Sequence, residues 1–277
     1  MKIAITGTTG LVGRWIAAAA RDAGHEVSAL SRPAYTLGDA PDLTGHDALI
    51  HAAFRHAPGR YRGGEGDDPQ GFIRDNLDGS LRLFEAARDT GVARVLFLSS
   101  RAVFDGYPEG ADLTEELPPQ PTSLYGEVKA RTEAALDDMA TTDFRTASLR
   151  ATGVFGHGQP QKWTGLIRDF LGDRPVPSRV STEVHGADLA AAALLVLGDP
   201  RMHGAYHASD IILDHHDLLA GVASITQSPR QPPSRADARD LRVLNTHRLD
   251  ALGWQPDGWG RLHADLAVII DEARRSA

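Results

Sequence analysis

Residues 6–13 read Thr6-Gly7-Thr8-Thr9-Gly10-Leu11-Val12-Gly13, directly after the apolar run at 2–6 and at the start of a helical pattern at 11–23. The order strand, glycine turn, helix decides the fold. Glycines at these positions let the chain reverse tightly and let its backbone approach a ligand that a Cβ would keep away. The helix that follows brings aligned N–H groups and the positive end of its dipole to the same point. A pyrophosphate is the group such a point holds, so the turn predicts a dinucleotide site. Without that context a glycine triplet is only a tight turn.

Working outward, short apolar runs alternate with helical patterns. Strands are expected at 2–6, 26–30, 47–51, 93–99 and 144–149, and helices at 11–23, 71–90 and 125–139. The run at 93–99 lacks polar alternation, as a strand buried on both faces does. Strand and helix in alternation imply an α/β fold with a doubly wound parallel sheet, a Rossmann core over residues 1–150. Beyond Arg150 the pattern loosens. Helices are expected at 163–171, 186–197, 215–226, 246–252 and 260–274, and strands at 179–184 and 205–208. Residues 151–277 are read mainly as a smaller substrate-binding lobe over the carboxyl edge of the sheet, with some segments returning to the core.

Composition narrows the partners. The 277 residues are 42% hydrophobic and 24% charged, as in an ordinary globular protein. A net charge of −8 argues against a nucleic-acid or anionic-membrane partner. The absence of cysteine excludes disulfides, thiolate metal sites and a cysteine nucleophile, and it suits a reducing cytoplasm. The first residues run straight into a strand pattern, unlike a secretory leader. The apolar stretches at 17–20 and 189–197 are too short to span a bilayer. The twelve histidines show no metal-ligand spacing, so no metal is expected.

The end of the second strand speaks to cofactor choice. An NAD site usually places Asp or Glu there, on the ribose 2′-hydroxyl. This chain has Ser31 followed by Arg32. A guanidinium pairs with a 2′-phosphate and Ser31 does not repel it, so NADP(H) is favoured over NAD(H). Arg14 offers a second positive charge. The alternative for both arginines is solvated surface charge.

Tyr125 and Lys129 lie one helical turn apart and share a face. An ammonium near a phenol is expected to lower its pKa and ease proton transfer. Ser100 follows the strand at 93–99, where its hydroxyl can hold a substrate oxygen. The set suits proton transfer to oxygen coupled to hydride transfer at carbon.

These motifs together resemble the extended short-chain dehydrogenases/reductases, the NAD-dependent epimerase/dehydratase family. Thr6–Gly13 is similar to its TGxxGxxG turn and Tyr125-Gly126-Glu127-Val128-Lys129 to its YxxxK. Ser99-Ser100-Arg101-Ala102-Val103-Phe104 resembles its Ser-Ser-x-x-Val-Tyr segment, at the usual spacing of 25 residues from Ser100 to Tyr125. His51-Ala52-Ala53, Asn76-Leu77-Asp78-Gly79, 149–156, 184–190 and Leu252-Gly253-Trp254-Gln255-Pro256 extend the likeness along the chain in the family's order.

The resemblance implies an enzyme with Tyr125, Lys129 and Ser100 as catalytic residues. Gly7, Thr9, Gly10, Leu11, Val12, Gly13, Ser31, Arg32, Ala52, Ala53, Asn76, Ser99, Tyr125 and Lys129 would contact the cofactor. It implies a sugar substrate, above all a nucleotide-sugar, or a small keto or hydroxy compound, and a homodimer through the helices carrying Asn76 and Tyr125. Reduction, oxidation, redox-neutral epimerisation and a non-catalytic dinucleotide sensor all stay open. Arg101-Ala102 stands where the family's dehydratases carry an acidic pair, which counts against dehydration. The short segment between Arg32 and Asp47 leaves little room for the helix that usually follows the family's third strand, with Asp39 or Ala40 as positional candidates for the adenine contacts. Arg101, and Arg55 in a loop with His56, Arg60, Tyr61 and Arg62, are candidates to meet an anionic substrate. Trp163 reads as packing, Asp188 and His185 as helix-capping groups, and Glu272 as part of a solvated helix end.

Overall fold

The computed structural model describes residues 1–57 and 64–275. Strand β1 (Lys2–Thr6) feeds the glycine turn and α1 (Gly13–Asp22), which buries Ile16, Ala17 and Ala20 and gives way to Gly24 at φ +78°. β2 (Glu26–Leu30) pairs with one side of β1, and β3 (Ala48–His51) with the other. The strand order therefore reverses at β1, and ligands of such sheets bind at the carboxyl ends beside that reversal. The segment 31–47 between them carries neither helix nor strand, as its length implied. Tyr35 and Leu43 anchor it to the core.

A long helical segment follows in three parts: α2 (Pro69–Ile73), a π turn at Arg74–Asp78, and α3 (Gly79–Asp89). β4 (Arg94–Ser100) runs into a 3₁₀ turn at Arg101–Phe104, then β5 (Asp112–Leu113), α4 (Leu124–Asp138) and β6 (Arg145–Ala151). β7 (Gly153–Phe155), α5 (Thr164–Leu171), β8 (Val180–His185) and α6 (Gly186–Gly198) come next. The chain closes with β9 (Ala205–Ala208), β10 (Ile211–Asp214), α7 (His215–Thr226), β11 (Val243–Leu244), α8 (His247–Asp250) and α9 (Gly258–Arg275).

The main sheet has six parallel strands in the order β2-β1-β3-β4-β6-β9. Alternate residues of each strand face opposite layers. Ile3, Ile5, Ile50, Leu96 and Leu98 pack with α1 and α6, while Ala4, Leu49, Val95 and Phe97 pack with α3 and α4. Burial on both faces explains the apolar runs. β10, β8 and β7 form a second sheet, which shares an apolar cluster with α5, α7 and α9. Trp163 is 5% exposed within that cluster.

β8 falls on the strand expected at 179–184, but β5, β7, β10 and β11 escape a reading by pattern. They run two to four residues, and tertiary pairing defines them. The helix expected at 246–252 shortens to α8, because Gly253 turns at φ +83°. Glu272 is not part of a solvated end. Its carboxylate accepts the Gly158 N–H at 2.8 Å and ties α9 to the loop after β7. His185 accepts the Ala187 N–H at 3.1 Å and caps α6, while Asp188 pairs with Arg261 at 2.8 Å.

Candidate active site

The glycine turn sits at the carboxyl end of β1. Gly7 adopts φ +70°, and a Cβ there would stand 2.7 Å from the Ala53 backbone nitrogen. A Cβ on Gly13 would collide with the Gly7 carbonyl. Both positions therefore need glycine for the turn to close at all. No side chain caps the start of α1 at Val12, while the Arg14 and Trp15 N–H groups already donate to the Gly10 and Val12 carbonyls at 3.4 and 3.1 Å. Ser31 is half-buried at the end of β2, and Arg32 is exposed with no ion pair among the described residues. Arg14 does not wait beside them for an anion. Its guanidinium donates to the carbonyls of Leu11 and His157.

Ser100 ends β4 and accepts the Ala102 N–H at 3.2 Å, which starts the 3₁₀ turn. α4 begins at Ser123, whose hydroxyl accepts the Gly126 N–H at 3.2 Å. A Cβ on Gly126 would stand 2.5 Å from the Ala102 carbonyl. That contact presses the first turn of α4 against the turn after Ser100 and brings the Tyr125 phenol under the influence of the Ser100 hydroxyl. A glycine inside a helix costs about 1 kcal/mol. Gly126 was thus a visible sign of close approach, and the sequence reading passed over it.

Lys129 lies one turn below Tyr125 and is 4% exposed. Its ammonium donates to the Leu98 carbonyl at 2.6 Å and stands 4.1 Å from the Phe54 ring centroid, 4.6 Å from Phe97 and 5.9 Å from Tyr125. Burial pulls its pKa down to about 7, against the pull of Glu133. The Tyr125 phenol is not lowered as expected. Burial raises it, Ser100 works against that, and Asp105 adds to it. Desolvation of the buried phenol outweighs what its neighbours do to lower it.

Asn76 is fully buried, and backbone groups occupy its amide: the oxygen accepts the Arg55 N–H at 2.6 Å, and the nitrogen donates to Arg55 and Phe72 carbonyls at 3.0 Å. Ala52 and Ala53 both donate to the Thr6 hydroxyl, at 3.1 and 3.0 Å. Ser99 is 7% exposed, and its buried hydroxyl has no hydrogen-bond partner among the described residues. Arg101 is paired with Asp105 at 3.1 Å, and Arg55 with Asp75. Arg60, Tyr61 and Arg62 lie outside the described residues. Phe54 and His56 pack on Tyr125, at 5.3 and 5.5 Å between ring centroids. His56 belongs to the loop expected to meet an anionic substrate, whereas nothing in its local pattern marks Phe54. Among the described residues no group of three acidic or histidine side chains could hold a metal ion. No helix among them is long and apolar enough to cross a membrane.

The profile of the NAD dependent epimerase/dehydratase family matches residues 3–211. The chain belongs to this family. It is 26% identical to the UDP-glucose 4-epimerase of Corynebacterium glutamicum, over 99% of this chain and 94% of that protein. The solved UDP-glucose 4-epimerase of Thermotoga maritima with UDP-glucose covers 100% of this chain and 99% of its own, with a TM-score of 0.81 at 21% identity. RMD from Pseudomonas aeruginosa complexed with NADPH covers 100% of both chains, with a TM-score of 0.81 at 23% identity. Family membership makes the protein an enzyme of the short-chain dehydrogenase type that uses a nicotinamide dinucleotide. The residues present fit that group. The turn is closed by glycines where Cβ atoms would collide, the helix start has no side-chain cap, and the Ser99 hydroxyl is buried and unpaired among the described residues.

Proposed function

We propose that the protein transfers hydride between NADP(H) and a carbonyl or carbinol carbon of a sugar, above all a nucleotide-linked one, or of a small keto or hydroxy compound. One observation carries the reading: Tyr125, packed beside the turn that starts at Ser100 and with the Lys129 ammonium 5.9 Å from its ring, stands at the carboxyl edge of the sheet that also holds the glycine turn. The turn residues Gly7, Thr9, Gly10, Leu11, Val12 and Gly13 would hold the pyrophosphate. Ser31 and Arg32 would meet the 2′-phosphate, and Ala52, Ala53, Asn76 and Ser99 would line the path to Tyr125 and Lys129. The dinucleotide, when bound, supplies or takes the hydride.

The chain's own residues handle the oxygen. Ser100 donates to the substrate oxygen and fixes its position. Tyr125 gives that oxygen its proton in reduction and takes it in oxidation. Lys129 stabilises the phenolate left behind and can return a proton to it, since its pKa near 7 lets it exchange protons near neutral pH. Ser31 and the exposed Arg32 support NADP(H), and the NADPH in the Pseudomonas neighbour is consistent with this choice. NADP(H) in turn favours net reduction. A second reading, epimerisation with retained NAD, is favoured by the likeness to UDP-glucose 4-epimerases. Net cofactor oxidation measured against isotope exchange separates the two. A homodimer through α4 and the helical segment 69–89, located in the cytoplasm, completes the proposal, and light scattering tests the dimer.

Tyr125→Phe removes the proton carrier and leaves the binding surface nearly intact. Turnover should fall by about 10²–10⁴-fold with cofactor Kd little changed. A variant with near-normal kcat would refute the assignment.

A further inference from the structure

His51 ends β3, next to the strand reversal, and its ring is fully buried. Its Nδ1 lies 2.8 Å from the Thr6 hydroxyl, and its Nε2 lies 2.9 Å from the Ser80 hydroxyl. The direction of every proton follows from the partners. The Thr6 oxygen already accepts the Ala52 and Ala53 N–H groups, so its own proton goes to Nδ1. Nε2 then carries the imidazole proton and donates to Ser80. The Ser80 hydroxyl donates to the Asn76 backbone carbonyl, inside the π turn. A protonated ring would turn a second N–H on Thr6, which has no lone pair left. Burial agrees, pushing His51 down to about 3, with Lys129 adding to the effect.

The two ends of this chain of bonds are clamps on one short loop. Thr6 holds Ala52 and Ala53, and Asn76 holds the N–H and the carbonyl of Arg55. Phe54 is the residue between the clamps. Its ring covers the Lys129 ammonium from one side, and Phe97 covers it from the other. Phe97 is stacked on His51, with centroids 5.7 Å apart. His51 therefore joins both clamps by hydrogen bonds and backs one wall of the lysine's aromatic box. Single-turn π bulges recur at functional sites, and here the bulge carries Asn76.

We propose that His51 is a positioning residue: by linking Thr6 to Ser80 and Asn76 it fixes the 52–55 loop so that Phe54 shields Lys129 beside Tyr125. The inference rests on the reading of Lys129 as part of the active site, but its test needs neither substrate nor cofactor. Among the described residues the groups around the Lys129 ammonium are Phe54, Phe97, Tyr125, the Leu98 carbonyl, the more distant Glu133, and the His51 and His56 rings, both of which Lys129 pushes toward the neutral form. The chain has only three lysines, Lys2, Lys129 and Lys162, so trace acetylation with mass spectrometry resolves each one.

The pH midpoint of Lys129 labelling should rise by roughly one to three units in Phe54→Ala, where the shield is gone. It should rise in the same direction in His51→Leu and less in Ser80→Ala. In His51→Gln it should return toward the original value, because Gln offers one acceptor and one donor. Lys2 serves as the reference. A Lys129 midpoint that moves in Phe54→Ala but stays fixed in folded His51→Leu and Ser80→Ala overturns the role of His51. A midpoint fixed in all three overturns the shield as well. If His51→Leu does not fold, Ser80→Ala decides alone. A shifted midpoint without any hydride transfer would instead keep the positioning role and refute the proposed reaction.

Discussion

Lys129 and Lys162 are both buried amines, and the protein treats them in opposite ways. Lys162 touches the carboxylate of Glu183, which also accepts the Ser181 hydroxyl at 2.9 Å. Gly153, paired across the strands with Glu183, makes room for them; a Cβ there would collide with both side chains. Burial lowers Lys162, and Glu183 works against it by charge and hydrogen bond. Lys129 has no carboxylate in contact. The acid that acts on it, Glu133, is bound to Arg150 at 2.7 Å. Its partners are one carbonyl and three aromatic faces, which stabilise a cation far less than an anion does. The difference teaches which amine is an anchor and which is kept ready to exchange a proton. At Lys162 a contact carboxylate opposes the downward pull of burial, while at Lys129 desolvation with no carboxylate in contact brings the amine to about 7.

The largest test of this contrast replaces each lysine by Met. Lys129→Met should lower turnover by about 10²–10⁴-fold, as loss of a proton-handling group does. It should not weaken folding, because an uncompensated buried amine is removed. Lys162→Met should do the reverse. It leaves Glu183 buried and alone, at a loss of about 3–5 kcal/mol in denaturant unfolding, with kcat changed little. If Lys162→Met loses turnover as fully as Lys129→Met while staying folded, the contrast fails and Lys162 belongs to the chemistry.

The same contrast shows what the sequence made legible. The glycine turn, the apolar strands and the Tyr125–Lys129 spacing are local features, and a chain read residue by residue contains them. The six-stranded core and the approach of Tyr125 to Ser100 followed from those features. Phe54, Glu183 and Ser80 act through partners 20 to 75 residues away, as with Lys129 over Phe54. No local pattern records such contacts. The direction of the Tyr125 shift was misread for the same reason. Burial is a property of the packed fold, and it outweighed the neighbouring charge that the helix spacing revealed.

A third cation sharpens the comparison by having no ion pair among the described residues. Arg32 is exposed at the end of β2, beside Ser31. A charge-assisted hydrogen bond to a 2′-phosphate is worth about 1.5–3 kcal/mol, or roughly ten- to a hundredfold in affinity, and exposure favours the lower end. NADP(H) should therefore bind more tightly than NAD(H) by that factor. Ser31→Asp with Arg32→Ala should reverse the order, since the carboxylate accepts from a 2′-hydroxyl and repels a phosphate. Dissociation constants for both cofactors at fixed ionic strength give the answer. Tighter NAD(H) binding by the unmodified protein would move the reaction toward epimerisation.

The smallest effect concerns histidines that burial holds neutral, as it does Lys129. His51 and His207 are both depressed to about 3 by burial, with nearby Lys129 and Arg150 respectively adding to it. His207 accepts from Arg150 at 3.3 Å and donates to the Asn245 carbonyl at 3.0 Å, so a second ring proton would face a guanidinium. In the unfolded chain each titrates near 6.5. Between pH 6.5 and 3 the unfolded state therefore binds more protons than the folded one, and stability falls as pH falls through that window. Each histidine contributes about 1.4 kcal/mol per pH unit there. Lys129 works on the alkaline side. Its folded value near 7 lies below the unfolded value near 10.5, so stability rises with pH between the two. Denaturant unfolding from pH 4 to 10 should show both slopes. His207→Gln and His51→Gln should each flatten the acid limb by about one histidine's share, and Lys129→Met should flatten only the alkaline limb. An acid limb equally steep in both histidine variants would mean that other groups, and not these rings, take up the protons on unfolding.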